Sequence, residues 1–298
     1  MSEFKAWNQK KHAKDWLLFT QNIGSYLSLD ETAFSNGDLY TIVTNKKAKG
    51  KKGAIVTMVK GTRADAVITI LHKIPLKQRK KVKEVTLDMA GNMGLIVKKS
   101  FPNATLVIDR FHVQKLALDA LQEIRIKHRW ETLDTENDAI EKARNKSLRY
   151  TPELLPNGDT LKQLLARSRY LLYKNSSKWT ENQIARTKIL FEYYLDIEKA
   201  YKLCQNLSWI FSNTKDKTSA LIRLAKWDEK VRQAKFKSFN SISRTMAIHY
   251  KNILNYFDNR STNASAESFN AKIKAFRAQF RGVRNVEFFL FRLTNIYA

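Results

Sequence analysis

The chain has 298 residues, with 54 Lys or Arg against 28 Asp or Glu, and its formal net charge is therefore +26. Repulsion of this size opposes compaction and favours a polyanionic partner, with nucleic acid as the first candidate and an anionic membrane as the second. The single cysteine, Cys204, excludes an internal disulfide, and no Cys/His spacing typical of a zinc site occurs in the sequence.

The first part of the chain has the pattern of a mixed β-sheet. Runs of β-forming residues occur at 26–30, 39–44, 54–59, 82–87 and 104–108. Helical spacing occupies 63–74 and 92–101. Short turns predict antiparallel pairing of the first three strands, and helical crossovers predict parallel pairing of the later ones. We therefore expect an α/β fold with a mixed five-stranded sheet flanked by helices.

The rest of the chain has a predominantly helical pattern. Helices are predicted from Gln114 to Phe257, broken by a Pro/Gly loop at Thr151–Asp159. A final amphipathic helix is predicted from Ala266 to about Arg281, with Ser265 as its N-cap. The predicted organisation is an N-terminal extension at 1–24, a first core part at 25–118, a helical insertion at 119–258 and a last core part at 259–298.

Two acids stand at the ends of predicted strands. Asp30 ends the first strand and Asp88 ends the fourth, and these strands are neighbours in a mixed sheet of this order. Paired carboxylates suit Mg²⁺ or Mn²⁺, and a third acid from a helix would complete a two-metal site for phosphoryl chemistry. Strand-end aspartates are also common turn residues, and periodicity alone does not select the third acid. Glu31, the next residue, is expected to face the opposite side.

Four segments carry a resemblance to a known family. They read LSLDE, TLDMAGNM, FPNATLVIDRFHVQKLALDALQEIR and NASAESFNAKIKAFRAQFRGVRNVEFFLFR. Together they resemble the DDE transposases of bacterial insertion sequences, and most closely the ISL3-like group. The resemblance covers about 25–130 and 258–295, and it implies an RNase-H-like core interrupted by a large all-α insertion.

The resemblance also implies roles for individual residues. Carried over, the catalytic triad is Asp30, Asp88 and Glu267, which would hold two Mg²⁺ or Mn²⁺ ions. Residues that would support this triad are Asp109, Arg110, His112 and Asn270, with Asp109 orienting and His112 contacting the scissile phosphate or positioning water. A rival assignment makes Asp109 the second catalytic acid in place of Asp88. A buried, hydrogen-bonded structural histidine is an equally good interpretation of His112.

Basic residues gather on a predicted hairpin tip and on the final helix. We expect phosphate contacts from Lys46, Lys47, Lys49, Lys51, Lys52, Lys274, Arg277 and Arg281. A lysine run is usually a solvated face, but the net charge favours DNA contact here. The tryptophans of the helical region are more typical of a core than of base stacking, and they are Trp130, Trp179, Trp209 and Trp227.

The resemblance implies the catalytic subunit of a DNA transposase, which hydrolyses phosphodiesters at the ends of an element and transfers the strand into target DNA. The alternatives are a structure-specific nuclease of the same fold and a DNA-binding derivative that has lost catalysis. We expect DNA and further copies of the chain as partners, no membrane, and a bacterial cytoplasmic location at the nucleoid. The short stretch before the first predicted strand leads us to expect a separate end-recognition polypeptide. The alternatives are truncation of a longer gene and recognition of the DNA by the helical insertion itself.

Overall fold

The chain forms two compact units. A computed structural model describes residues 2–33, 38–280 and 285–298, without the side chain of Ser265. The first unit, here the sheet unit, combines Met1–His112 with His249–Ala298, and the second, the helical unit, is Val113–Ile248.

The sheet unit contains one mixed sheet. Its six strands are β1 Trp16–Leu18, β2 Tyr26–Ala33, β3 Leu39–Asn45, β4 Ile55–Lys60, β5 Glu84–Leu87 and β6 Thr105–Ile108. The strand order is β1-β4-β3-β2-β5-β6, with antiparallel pairing from β1 to β2 and parallel pairing of β2 with β5 and of β5 with β6. The predicted mixed sheet with flanking helices is confirmed.

The sheet has one strand more than predicted. β1 lies in the segment that the sequence pattern assigned to an N-terminal extension, and it pairs antiparallel with β4 through Leu17 and Met58. With only three residues, β1 is too short to show an alternating pattern. Its place in the sheet therefore depends on pairing with a strand distant in sequence.

Helices cover both faces of the sheet and make up the helical unit. In chain order they are α1 Ser2–Lys5, α2 Ala64–Leu71, α3 Leu76–Arg79, α4 Gly91–Ser100, α5 Arg110–Asn145, α6 Leu161–Arg167, α7 Glu181–Tyr193, α8 Leu195–Asn213, α9 Lys217–Ala234, α10 Lys237–Leu254, α11 Tyr256–Asn259, α12 Ala264–Gln279 and α13 Val286–Tyr297. Within the described residues, none of these helices has the length and apolar character needed to cross a membrane.

The two faces of the sheet have separate hydrophobic cores. Leu29 belongs to the core that includes residues of α2 and α4, whereas Ile42 belongs to the core that includes Phe269 of α12 and residues of α13. Asp30 pairs with Ile42 across β2 and β3. Because successive side chains of a strand point to opposite faces, Asp30 lies on the face covered by α12.

The start of α12 differs from the predicted start. The helix begins at Ala264 with Asn263 in the N-cap position, so the assignment of Ser265 as the N-cap is wrong. The fully buried Asn263 makes no side-chain cap hydrogen bond, and its Nδ2 donates instead to Leu29 O at 3.5 Å. The N-cap residue of this helix is therefore in contact with β2, and local sequence gives no signal for such a contact.

The helical unit packs around large buried side chains. Trp227 is fully buried and its Nε1 donates to Leu203 O at 2.9 Å. Trp179 stacks on Tyr201 with ring centres 5.2 Å apart. Trp130 and Trp209, by contrast, are 61% and 49% exposed. The expectation that the tryptophans lie in the core is therefore confirmed for Trp227 and wrong for Trp130 and Trp209.

A buried carboxylate stabilises the loop that precedes α6. Asp159 accepts hydrogen bonds from Arg186 Nε at 2.9 Å, from Asn157 Nδ2 at 3.0 Å, and from Arg167. Burial opposes ionisation of Asp159, but the hydrogen bonds from Arg186 and Arg167 outweigh it and lower the pKa of Asp159. The ionised form is therefore the one that stabilises the fold.

We expect Asp159→Asn to lower the free energy of unfolding by about 3 kcal/mol at neutral pH, because two arginines lose their buried partner. Since the folded pKa of Asp159 lies below its ordinary value of 3.8, the stabilisation is present above that value and is lost as pH falls through the folded pKa. Urea titrations at several pH values measure this difference. The exposed Asp138→Asn is the control, and an equal effect of both variants would contradict the expectation.

Candidate active site

The registers of β2, β5 and β6 bring three aspartates together, although Asp30 lies within β2 and not at its end as the sequence pattern predicted. Ser28 of β2 pairs with Thr86 of β5, and Leu87 of β5 pairs with Ile108 of β6. Asp109 N then donates to Leu87 O at 3.1 Å. Continued two residues beyond Ser28 and one beyond Leu87, these registers place Asp30, Asp88 and Asp109 side by side.

The first turns of α12 add a glutamate and an asparagine. Glu267 and Asn270 lie three positions apart and therefore on one helical face. Asn270 Nδ2 donates to Asp30 Oδ2 at 2.7 Å, and the other carboxylate oxygen of Asp30 accepts from Glu31 N at 2.8 Å. This pair of hydrogen bonds determines the orientation of the Asp30 carboxylate.

The carboxylates are close enough to alter one another's ionisation. Burial raises the pKa of Asp30, and the Asp88 carboxylate adds to the increase, while His112 and the amide of Asn270 oppose it. Burial also raises the pKa of Glu267, with further increases from Asp109 and Asp30. The edge of the sheet therefore carries a concentration of negative charge that a cation would relieve.

Glu31 belongs to the same electrostatic neighbourhood, although the sequence pattern set it aside. Burial raises the pKa of Glu31, and Asp88 and Asp30 raise it further. No local pattern signals this proximity, because strand alternation assigns Glu31 to the other face of the sheet.

The segment Asp109–His112, which reads DRFH, lies at the start of α5, beside the acids. The side chain of Asp109 is 1% exposed, and its Oδ1 accepts from Phe111 N at 3.3 Å. Its Oδ2 lies 4.0 Å from Nδ1 of His112, too far for a hydrogen bond. Arg110 is directed elsewhere, with its guanidinium carbon 5.8 Å from the ring centre of Tyr256.

The donor chemistry of this edge fits a hard divalent cation. Within the described residues, Asp109 Oδ2, Glu267 Oε1 and His112 Nδ1 are buried and have no hydrogen-bond partner. Buried polar atoms normally have one, so these three atoms are available to a ligand. The same part of the chain nevertheless contains no group of three or more His, Cys, Asp or Glu side chains arranged as a complete metal site.

Lys46 lies inside the sheet unit and not at the exposed hairpin tip. Its Nζ donates to Thr86 Oγ1 at 2.7 Å and lies 3.7 Å from Glu84 Oε1. Glu84 Oε2 accepts from Asn259 Nδ2 at 3.1 Å. Burial lowers the pKa of Lys46, and the neighbouring carboxylates of Glu84 and Asp109 oppose this decrease. Lys46 is therefore half-buried beneath the acids, in an ion pair with the buried Glu84 carboxylate.

We expect Lys46→Met to lower the free energy of unfolding by about 3 kcal/mol, because it leaves the Glu84 carboxylate buried without its cation. Adding Glu84→Gln should recover part of this loss. The control is Lys47→Met at the exposed neighbouring position, with an expected change within about 0.5 kcal/mol. Chemical denaturation measures all three variants. Equal stability of Lys46→Met and Lys47→Met would show that the pair contributes nothing.

The other predicted DNA contacts lie on two adjacent elements. Lys47, Lys49, Lys51 and Lys52 are exposed around the turn between β3 and β4. Lys272 of α12, which the sequence pattern did not single out, donates from Nζ to Gly50 O at 3.0 Å and joins that turn to the helix. On α12, Lys274 is exposed and Arg277 lies over the Phe289 ring at 5.1 Å. Arg281 lies outside the described residues.

The sequence comparison agrees with this arrangement. Residues 27–293 match the profile of a DDE family of the ISL3 type, whose description is "Transposase". The match covers β3 to β6, β2 from its second residue, the acids at the sheet edge and α12, and it leaves out β1. The chain belongs to the ISL3-type DDE transposase family.

One curated transposase is also similar to the chain. The transposase for insertion sequence element IS1001 from Bordetella parapertussis is 21% identical over 274 residues, which are 90% of this chain and 60% of that protein. The chain therefore spans about three fifths of the length of this relative. No solved structure gives a significant match.

Proposed function

We propose that this chain carries the catalytic centre of a DNA transposase, which hydrolyses a phosphodiester at the end of a mobile element and joins the freed 3′-hydroxyl to target DNA. The observation that carries the proposal is the convergence of Asp30, Asp88, Asp109 and Glu267 at one sheet edge. The family match over 27–293 supports it independently.

Asp30, Asp88 and Glu267 would hold two Mg²⁺ or Mn²⁺ ions. When bound, such ions lower the pKa of water and stabilise charge on the attacking and leaving oxygens. Asn270 holds the Asp30 carboxylate in place through its 2.7 Å hydrogen bond. His112, which is partly exposed and has an unpartnered Nδ1 among the described residues, would contact the scissile phosphate.

Burial supports Asp88 over Asp109 as the second acid. Asp109 is almost fully buried, whereas Asp88 is half-buried and raises the pKa of Asp30 by its proximity. A residue that binds both an ion and DNA needs access from the surface. Asp109, whose Oδ2 lies 4.0 Å from His112 Nδ1, would therefore act on His112 from behind by its charge, and the rival assignment is tested by the Asp109→Asn variant.

The proposal is tested by incubating the chain with Mg²⁺ or Mn²⁺, a labelled duplex that carries an element end from the flanking chromosome, and a plasmid target. We expect label to be joined to the plasmid. Cleavage without joining would support a structure-specific nuclease instead, and DNA binding without cleavage would support an inactive derivative. Joining in the presence of a chelator would contradict metal dependence.

We expect the exposed lysines of the β3–β4 turn to make phosphate contacts. Changing Lys47, Lys49 and Lys51 together to Gln should weaken duplex binding and make the slope of log K against log salt shallower by about 2.7, at about 0.9 for each phosphate contact. The control changes Lys73, Lys98 and Lys99, which are exposed on α4 and next to α2. If the slope of log K against log salt is the same for the two triple variants, the turn does not contact DNA.

The oligomeric state on DNA, the separate end-recognition polypeptide and the nucleoid location stay predictions. Joining of two element ends in one product would support assembly of more than one chain on DNA. Binding of the chain to end DNA and to scrambled DNA, with and without an added partner, addresses end recognition.

A further inference from the structure

A groove on the helical unit combines arginines with exposed aromatic rings. It has a volume of about 760 Å³ and lies between α5 and the segment from Ala166 to Tyr173. On the α5 side, Gln122, Ile126 and Arg129 line one helical face at intervals of about one turn. We call this feature the arginine–aromatic groove.

The charge of the groove is concentrated in three guanidinium groups. Arg125 is 4% exposed, and it donates from Nε to Gln122 Oε1 at 2.6 Å and from Nη1 to Leu165 O at 2.9 Å. Burial lowers the pKa of Arg125, and the neighbouring charges of Arg129 and Arg169 lower it further. Three cations that repel one another form an environment that an anion stabilises.

Two acidic residues line the groove with these arginines and offset part of their charge without pairing with them. Asp119 and Glu123 also line the groove, and both are exposed. In the part of the chain that the structure describes, neither of them forms an ion pair with Arg125, Arg129 or Arg169. The groove therefore retains positive charge toward a bound molecule.

Two large rings stand open to solvent beside the arginines. Trp130 is 61% exposed and Tyr170 is 69% exposed. The guanidinium carbon of Arg169 lies 5.3 Å from the ring centre of Tyr170. Exposed aromatic faces next to cations are the combination that binds single-stranded nucleic acids, because phosphates contact the cations while bases stack on the rings.

We propose that the arginine–aromatic groove binds an unpaired nucleotide of single-stranded DNA, with its phosphate at Arg125, Arg129 and Arg169 and its base stacked on Trp130 or Tyr170. The proposal rests on the proposed action on DNA. A base inside a duplex has both faces covered by its neighbours, so the exposed rings select a nucleotide that has left the stack. A phosphate matches a planar guanidinium through paired hydrogen bonds.

The test compares binding of a labelled oligodeoxythymidine and of a duplex of equal length to the full chain, by fluorescence anisotropy in the presence of a chelator. We expect Trp130→Ala to weaken binding of the single strand about tenfold. Arg129→Gln should weaken it several-fold and lower the salt slope by about 0.7. Duplex binding should change by less than about twofold in both variants.

The matched control is Trp209→Ala. Trp209 is also an exposed tryptophan of the helical unit with an arginine, Arg223, over its ring at 4.9 Å, but it does not line the groove. Equal effects of Trp130→Ala and Trp209→Ala would overturn the proposal, and so would equal losses for single strand and duplex. Thermal melting shows whether each variant is folded. If the Trp130→Ala variant does not fold, Tyr170→Ala provides the second test.

Failure of this proposal is distinguishable from failure of the proposed function. Cleavage and joining are measured separately, with metal ion present and with the sheet-edge acids as the tested residues. If the chain joins element ends normally but its single-strand binding does not depend on Trp130, only the groove proposal is overturned. Single-strand binding that depends on Trp130 in a chain without metal-dependent cleavage would overturn only the proposed function.

Discussion

Asp30→Asn, Asp88→Asn and Glu267→Gln are each expected to abolish metal-dependent cleavage and joining of element ends. The loss should be well beyond the ~10–100-fold that removal of an orienting partner causes, because each change removes a charged ligand oxygen. These substitutions keep the size of the side chain and replace one charged oxygen with an uncharged NH2 group. Binding to duplex DNA should therefore persist within about twofold.

Matched controls separate catalysis from a general loss of charge. Asp65→Asn, at an exposed residue paired with Arg63, and Glu287→Gln, near Lys14, should both leave cleavage unchanged. Asp109→Asn decides between the two candidate second acids. An active Asp88→Asn variant together with an inactive Asp109→Asn variant would contradict the assignment of Asp88.

Asn270→Ala is expected to lower the cleavage rate about 10–100-fold and to raise the Mg²⁺ concentration needed for half-maximal rate. Asn270 donates to the Asp30 oxygen opposite the one that accepts from Glu31 N. Without this donor, the Asp30 carboxylate is free to rotate and binds an ion less well. Titration of the cleavage rate with Mg²⁺ measures the shift.

A merely structural role of Asn270 would not change the metal requirement. Such a role would lower thermal stability and leave the half-saturating Mg²⁺ concentration unchanged. Ser268→Ala, at an exposed position on the same helix, is the control and should match the unaltered chain in both measurements. An Asn270→Ala variant that needs no more Mg²⁺ than the control would disprove the positioning role.

The sequence alone predicted the type of sheet and the helical character of the remaining chain. The apolar run 104–108 and the apolar stripe of Phe269, Ile273 and Phe276 are local patterns. The stripe is buried, whereas in the run only Val107 and Ile108 are buried and Thr105 is exposed. The resemblance in four segments indicated the family, which the match over 27–293 shows. Local periodicity and short motifs are properties of neighbouring residues, so they can be interpreted without coordinates.

The candidate site was predictable in its residue types but not in its contacts. The sequence named Asp30, Asp88, Glu267, Asp109 and His112, and the structure gathers them at one sheet edge, while their catalytic roles stay predictions. It did not indicate that Asn270 holds Asp30, because the two residues are far apart in the chain and their contact depends on how α12 packs on β2.

Only the tertiary structure decided the place of Lys46. In a run of lysines it is indistinguishable from its neighbours, yet the register pairs Asn45 with Leu27 and Tyr26 with Glu84. Lys46, the residue directly after β3, therefore reaches the row of Glu84 and is half-buried beside that carboxylate, whereas Lys47 remains exposed. The same holds for β1 and for the start of α12 at Asn263. The sequence determined most of the strands and helices, because their formation depends largely on local spacing, but it did not determine β1. The tertiary structure decided which charges are buried, because that depends on strand register and on contacts between residues far apart in the chain.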